Sequence, residues 1–180
     1  MPPLFHQYIR DEAHYSEVLL RVRDVKSTLW MGTSDLKDLF VMRGKKAWPL
    51  LGEIAELIEN DVSVRLIHAK EPGPNFRADF DRFPALTTGL ERVLCPRVHF
   101  KLLIFDLQSA YIGSANLTGA GIGMKSDGKR NFEAGIWTND PALVSAAIEQ
   151  FDSVWMGGHC EKCRRKNFCG DSILPVTPEE

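Results

Sequence analysis

Apolar and polar positions alternate along residues 98–106, which predicts a β-strand with one face turned toward a core. His99 and Lys101 are two positions apart, so a strand would direct both side chains to the same face. The opposite face is apolar and comprises Val98, Phe100, Leu102 and Ile104. A second strand begins at residue 110 and leads to Ser114 and Asn116, where small hydrogen-bonding residues replace bulky ones. An antiparallel return is therefore expected to bring Ser114 and Asn116 beside His99 and Lys101.

Helical spacing of apolar residues predicts three longer helices, over residues 11–26, 49–60 and 141–155. Short apolar runs predict further strands at residues 28–31, 62–67, 91–94 and 131–138. Residues 71–89 are expected to form a loop with a short helix, and the glycine-rich residues 119–130 a surface loop. The polar segment 32–35 is compatible with a turn or with the cap of a short helix that begins near Leu36. Helices and strands in this order are typical of a layered α/β domain.

Length and composition indicate a soluble globular domain. The 180 residues are enough for a sizeable core, and 44% of them are hydrophobic. With a net charge of −2, the whole molecule has no charge excess that would indicate a nucleic-acid or membrane partner, so any anion site must be local. The first ten residues have no apolar signal core, and no uncharged run approaches the roughly 18 residues of a membrane-spanning helix. We therefore expect a cytoplasmic protein without a membrane partner.

Six residues of the central stretch have a spacing that is known from one family: His99, Lys101, Asp106, Gly113, Ser114 and Asn116. The pattern His-x-Lys-x4-Asp-x6-Gly-Ser-x-Asn resembles the signature of the phospholipase D superfamily, with every spacing intact. Six specified positions match by chance far less often than a lone glycine-rich loop does. Asn131 and Glu133 also lie where this family has an Asn-x-Glu on the next strand. The resemblance implies a mixed β-sheet flanked by helices, with one motif per chain.

The resemblance also implies a role for each motif residue in phosphodiester chemistry. His99 would attack phosphorus and form a phosphohistidine, which divides one difficult displacement into two easier ones. Lys101 and Asn116 would hold the non-bridging oxygens where negative charge develops, and Ser114 could add a further hydrogen bond. This chemistry needs no divalent metal.

Two acidic residues are expected to support this site. Glu133 would fix the tautomer of an imidazole and stabilise the imidazolium, provided that its carboxylate reaches the far ring nitrogen. Asp106 ends the first strand of the motif, and this position favours a hydrogen-bonding role in a turn or a neighbouring strand over proton transfer.

One motif supplies one histidine, whereas the leaving oxygen also needs a proton. The resemblance implies that two motifs pair across a twofold or pseudo-twofold axis, and this chain contains one. We therefore expect a homodimer in which His99 of one subunit is the nucleophile and the partner subunit's His99 is the general acid.

The motif alone does not distinguish among phosphodiester substrates. The small single-motif chain resembles the dimeric bacterial endonucleases of the superfamily, which favours nucleic acid, and cations beside the site support this: Lys125, Lys129 and Arg130. One alternative is a non-catalytic nucleic-acid-binding module of the same fold. Another is a phospholipid hydrolase or transferase, although no amphipathic docking helix stands out in the sequence.

Three of the four cysteines are close together near the C-terminus, at Cys160, Cys163 and Cys169. Their spacing would let thiolates converge on one metal, with Cys95 or His159 as the fourth ligand. A tail folded back onto Cys95 would hold a zinc ion or an iron–sulfur cluster at the edge of the active site. Cysteines without a function and a disulfide are the alternatives, of which the disulfide is disfavoured in a reducing cytosol. We predict a catalytic domain over residues 1–157 and a cysteine-rich appendage over residues 158–180.

Overall fold

The computed structural model describes residues 3–170, and its main feature is a seven-stranded mixed sheet. In chain order the strands are β1 (His6–Arg10), β2 (Thr28–Thr33), β3 (Phe40–Arg43), β4 (Lys46–Pro49), β5 (Ser63–His68), β6 (Leu90–Leu94), β7 (Lys101–Phe105), β8 (Ser109–Gly113) and β9 (Ala134–Thr138). The sheet order is β1-β9-β8-β7-β2-β5-β6, and β3 and β4 form a separate hairpin. Strand β5 pairs in parallel with β2 and β6, whereas the other neighbours in the sheet are antiparallel. The predicted fold class is confirmed.

Helices cover both faces of this sheet, and they are α1 (Leu50–Glu59), α2 (Pro74–Asp81), α3 (Pro84–Gly89) and α4 (Pro141–Trp155). Helix α1 packs its apolar residues into a core that includes Leu103 and Phe105 of β7. Helix α4 packs on the opposite face against Leu102 and Ile104, where its Phe151 ring stacks on Trp30 at a centroid distance of 5.0 Å. No helix within residues 3–170 combines the length and the apolar character needed to cross a bilayer.

The helix predicted over residues 11–26 is shorter and irregular. A π-helical turn over His14–Val18 is followed directly by a 3-10 helix over Leu19–Asp24. Val18 has backbone angles of −118° and −61°, which interrupt a regular α-helix. Val18, Leu19 and Val22 are nevertheless buried. Helical spacing identifies the side chains that face the core, but it does not determine which type of helix carries them.

Two elements have no clear signal in the sequence. Strand β1 lies at the sheet edge and has one buried residue, Ile9, so it shows no alternating pattern. The β3–β4 hairpin turns at Gly44, whose φ of +60° suits glycine, within a basic stretch that reads as a loop. The optional helix near Leu36 is also absent, because Leu36 pairs with Leu117 in an isolated β-bridge.

The carboxylate of Asp106 ties the end of β7 to the start of β2. It accepts hydrogen bonds of 2.7–3.1 Å from the backbone N–H groups of Lys26, Ser27 and Thr28 and from the Ser27 hydroxyl. Partial burial alone would raise the pKa of the Asp106 carboxyl, but the hydrogen bonds from Ser27, Thr28 and Lys26 lower it overall. Asp106 lies at the opposite end of β7 from Lys101, which agrees with a structural role.

We expect Asp106→Ala to lower the free energy of unfolding by about 2 kcal/mol at neutral pH, because three backbone donors lose their shared acceptor. The pKa is lower in the folded state, so this contribution is fully present above the unfolded aspartate pKa of about 3.9. It is lost as the pH falls through the folded pKa. Urea unfolding of both proteins at neutral pH measures the loss of stability in Asp106→Ala. The same experiment at about pH 3 measures how much of this difference is lost in acid.

The variant Asp106→Asn keeps an acceptor oxygen without the charge, and its stability should change less with pH than that of the wild-type protein. Asp24→Ala is the control, because Asp24 is an exposed aspartate in the same region. Equal stability of Asp106→Ala and Asp24→Ala at neutral pH would contradict the structural role of Asp106.

Candidate active site

His99 and Lys101 meet at the start of β7. Lys101 is the first residue of the strand and is 7% exposed, whereas His99 lies in the preceding connection and has an exposed side chain. The Lys101 ammonium donates to the main-chain oxygen of His99 at 2.7 Å, and its Nζ lies 3.3 Å from Nδ1 of the imidazole. The chain therefore presents a cation and an imidazole side by side at one end of the sheet.

The ammonium of Lys101 is partly removed from water. Desolvation lowers the pKa of Lys101, and the nearby Glu133 carboxylate opposes this shift. A buried cation is costly unless polar or negatively charged groups surround it. A phosphate oxygen arriving beside Lys101 would supply such a group, so this end of the sheet is suited to an anion.

The register between β7 and β8 places the second part of the motif next to Lys101. Lys101 pairs with Gly113, the last residue of β8 and the one that precedes the 114–116 turn. A Cβ atom at Gly113 would collide with the hydroxyl of Tyr111, so a larger residue does not fit without a shift. The Tyr111 hydroxyl accepts the N–H of Ala115 at 3.3 Å, and burial raises its pKa, so it stays protonated. Tyr111 thus supports the turn from below.

The side chain of Asn116 is oriented by residues 33–35. The Ser34 hydroxyl and the Asp35 backbone N–H donate to its Oδ1 at 2.8 and 3.0 Å, and the Thr33 hydroxyl lies 3.1 Å from the same atom. The Thr33 hydroxyl has one proton, which it donates to the Asp35 carbonyl at 2.8 Å, so two donors hold Oδ1 and the amide NH2 remains available to donate to an anion.

Sequence reasoning missed Thr33, Ser34 and Asp35 as site residues. Their polar run was the only local signal, and each contact with Asn116 joins positions more than 80 residues apart.

Glu133 has its hydrogen-bond partners within the same end of the sheet. Its carboxylate accepts bonds from the Ser114 hydroxyl and from the Asn131 amide, the latter at 3.0 Å. Ser114 Oγ in turn accepts the N–H of Ala134 at 3.0 Å. No hydrogen bond joins Glu133 to His99 in the described part of the chain. The predicted contact between Glu133 and an imidazole is thus not formed within one chain, where Glu133 and Ser114 hold β8 and β9 together.

The cations predicted to bind substrate differ in their surroundings. Lys125 and Lys129 are exposed in the loop that follows the motif. The guanidinium of Arg130 forms ion pairs with Glu12 and Asp127. Arg130 therefore fastens the loop to the turn after β1, and Lys125 and Lys129 are the cations that remain exposed to solvent.

The four cysteines lie on the wall of one cavity of about 350 Å³, which is also lined by His99 and His159. All four are half-buried free thiols. As the side chains stand, no three His, Cys, Asp or Glu residues within positions 3–170 are arranged to hold a metal ion.

Comparison with protein families gives a match over most of the chain. Residues 26–155 match the family model described as cardiolipin synthase, PLD-like domain, where PLD denotes phospholipase D. This region contains the whole motif and every strand except β1. A comparison with curated proteins found no match.

Several solved structures share the fold. Nuc from Salmonella typhimurium, a phospholipase D family member, has a TM-score of 0.61 at 17% identity, over 85% of this chain and 95% of that chain. TrmBL2, described as an archaeal chromatin protein with a novel mode of DNA binding, has a TM-score of 0.58 at 16% identity, over 87% of this chain and 54% of that chain. Phosphatidylserine synthase from Haemophilus influenzae has a TM-score of 0.57 at 16% identity, over 88% of this chain and 40% of that chain. The likeness shows a common fold, and the three descriptions do not point to one substrate.

We expect this site to bind inorganic phosphate through Lys101 and Asn116. Ser34→Ala removes one donor to Asn116 Oδ1 and should weaken phosphate binding about fivefold to tenfold, the equivalent of about 1 kcal/mol. Asn116→Ala should weaken it further. Isothermal titration calorimetry measures the affinities. Asn60→Ala is the control, because the Asn60 amide donates to the Glu56 carbonyl at the end of α1 and not to a residue of the site. Equal affinities of Ser34→Ala and Asn60→Ala would contradict the orienting role of Ser34.

Proposed function

The chain belongs to the phospholipase D-like domain family, and we propose that it is a phosphodiesterase that cleaves nucleic acid through a phosphohistidine. One observation carries this proposal, namely the exposed imidazole of His99 lying 3.3 Å from the ammonium of the buried Lys101. The oriented amide of Asn116 completes the set. These groups supply a nucleophile, a positive charge and a directed donor. With them, the proposed reaction needs no divalent metal.

The proposed reaction has two displacement steps. A ring nitrogen of His99 bonds to phosphorus as the bond from phosphorus to the leaving oxygen breaks, and a general acid protonates that oxygen. Water then attacks the phosphohistidine, gives its proton to the group that acted as the acid, and releases the imidazole. Lys101 and Asn116 hold the non-bridging oxygens throughout, where negative charge increases in each transition state.

The contact between Lys101 and His99 bears on which nitrogen attacks. An ammonium group has donors only, so its approach to Nδ1 uses the lone pair of that nitrogen and leaves the imidazole proton on Nε2. A phosphate that draws Lys101 toward itself would free Nδ1 to carry the proton. Nε2 would then have the free lone pair that a nucleophile needs. Substrate binding and activation of His99 are coupled in this scheme.

We propose that two chains form the complete site. One chain supplies one motif histidine, and the imidazole of this residue, His99, is exposed beside the anion site. Across a twofold axis, the partner subunit's His99 would face the same phosphate and act as the general acid. The Glu133 carboxylate then has a role as the acceptor that orients an imidazolium.

Exposed residues beside the site favour nucleic acid as the substrate. Lys125 and Lys129 are exposed in the loop between the motif and Glu133, and in this proposal they contact phosphates that flank the scissile one. Phe132 is 97% exposed and directly precedes Glu133. An exposed aromatic ring next to a phosphate site can stack on an unpaired base, which favours a single-stranded substrate.

We expect the protein to cleave single-stranded DNA or RNA in the presence of EDTA, and His99→Ala to lower the rate about a thousandfold or more. Gel analysis of end-labelled oligonucleotides measures cleavage. His6→Ala is the control, since His6 lies on the edge strand β1 with a half-exposed side chain.

Other results would replace this proposal with a different function. Cleavage that persists in His99→Ala would contradict the mechanism. Salt-sensitive binding without cleavage would indicate a nucleic-acid-binding module. Turnover of phospholipid vesicles without cleavage of oligonucleotides would indicate a lipid enzyme.

We expect one inactive chain to inactivate a dimer. Wild-type and His99→Ala chains carrying different tags can be co-expressed, and heterodimers can be purified through both tags. Their activity should be close to background, because the shared site then lacks either the nucleophile or the acid. Wild-type dimers with two tags are the control. Half of the wild-type activity in the heterodimer, or full activity of a monomer, would contradict a shared site.

A further inference from the structure

The tail after α4, residues 158–170, is docked on the connection between β6 and β7, residues 95–100, which leads into the active site. This connection begins with Cys95, whose carbonyl accepts the N–H of Val98 at 3.0 Å and so forms a tight turn directly before His99. Arg165 of the tail donates to the Pro96 carbonyl at 3.2 Å. In the opposite direction, Arg97 donates to the carbonyl of His159 at 3.4 Å. The tail and the connection thus hold each other through reciprocal guanidinium contacts.

Hydrophobic burial does not explain why the tail takes this position. Within residues 158–170, every residue is exposed except Cys160, Cys163 and Cys169, which are half-buried. The one aromatic side chain of this segment, Phe168, is 74% exposed. A short segment without a core of its own usually needs a metal or a disulfide to hold its fold. The cysteines are the residues around which this tail is arranged.

The cysteines of the tail share one cavity with Cys95. Cys160 and Cys163 lie in a single turn closed by a 3.1 Å bond from the Cys163 N–H to the Cys160 carbonyl. Cys169 reaches the end of β6, where its Sγ lies 3.5 Å from the carbonyl oxygen of Leu94, the residue before Cys95. Four thiols from two distant parts of the sequence therefore converge on one space of about 350 Å³.

We propose that Cys95, Cys160, Cys163 and Cys169 bind one structural zinc ion that fastens the tail to the connection before His99. Each thiol releases its proton to solvent as its sulfur coordinates the ion, and four sulfurs at about 2.3 Å satisfy tetrahedral zinc. The side chains must rotate within the cavity, because as they stand no ligand set is formed in the described residues. Cys169 gives up its contact with Leu94 in doing so.

The charge around the cavity suits this ion. Four thiolates and one Zn²⁺ carry a net charge of −2, which nearby cations can balance. Arg97 lines the cavity, and Lys162, Arg164, Arg165 and Lys166 are neighbours of Cys163 in the sequence. The backbone N–H of Arg165 also donates to Cys163 Sγ at 3.4 Å, a bond typical of the shell that supports a metal ligand. The basic residues of the tail thus have a role that does not involve nucleic acid.

One feature favours Cys95 over His159 as the fourth ligand. Both residues line the cavity, but the Nε2 atom of His159 lies 3.2 Å from the Ser153 hydroxyl, so this nitrogen already has a partner. Four cysteines around one Zn²⁺ are a common structural site, and elemental analysis distinguishes it from an iron–sulfur cluster.

Metal analysis of the full chain, purified without chelators or metal-affinity resins, tests the proposal. We expect one zinc per chain by mass spectrometry of the elements, with no visible absorption. Cys95→Ser and Cys169→Ser should each lose stoichiometric zinc. His159 and Gln150 line the same cavity, so His159→Ala and Gln150→Ala are the controls, and both variants should keep zinc. Circular dichroism confirms that each variant is folded.

A second measurement does not depend on any variant. Removal of zinc with a strong chelator should increase hydrogen exchange in residues 94–100 and 158–170, while the N–H groups of β7 and β8 remain protected. Addition of Zn²⁺ should restore protection. Unchanged exchange after removal would contradict the role of zinc in fastening the tail.

Several outcomes would overturn the site itself. These are a protein without zinc that also binds none on titration with Zn²⁺, a brown protein that contains iron and sulfide, and a mass that shows disulfides in freshly purified protein. Zinc retained in Cys95→Ser would remove the link between the tail and the connection. None of these measurements uses a substrate, so they are independent of the proposed phosphodiesterase activity.

Discussion

The antiparallel register of β7 and β8 is the constraint on which the rest of the site depends. Pairing of Lys101 with Gly113 places the motif's cation beside the turn that contains Asn116. A shift of one residue would turn the Lys101 side chain to the other face of the sheet and into the apolar core beneath α4. A glycine is required at position 113 because the Tyr111 hydroxyl occupies the space where a Cβ atom would lie. The spacing of the motif is thus a consequence of strand geometry as well as of chemistry.

The motif's acidic residue and its basic residue work at opposite ends of the same strand. Asp106 gathers four donors from residues 26–28, which fixes where β2 begins relative to β7. Strand β2 ends at Thr33, and this places Thr33 and the next two residues beside Asn116. Asp106 therefore contributes to the site by aligning two strands, about the length of a strand away from His99. Lys101 thus lies at the start of β7, and Asp106 directly follows its end.

Sequence reasoning reached the parts of the fold that depend on local pattern. Strands β7 and β8, helices α1 and α4, and the residues that form the core follow from periodicity, although β7 begins at Lys101 and does not include His99. The parts that it missed depend on distant partners. Strand β1 is defined by pairing with β9, and the role of Ser34 by Asn116. The irregular helices over His14–Val18 and Leu19–Asp24 bury the expected side chains. The apolar spacing indicates which side chains face the core, but it does not determine the backbone hydrogen-bond pattern.

The net charge of −2 is compatible with an anion site because many acidic groups are already paired with cations. Glu53 is 6% exposed and is bonded to Arg23 and Arg43, and two further carboxylates hold Arg130. The two charges of such a pair cancel each other within a few ångströms, so the pair contributes little to the electrostatic field beyond the Debye length. Lys101 differs from them, because burial reduces the screening of its charge and the nearby Glu133 is itself bonded to Ser114 and Asn131. The local field at the start of β7, and not the total charge, therefore decides whether a phosphate binds there.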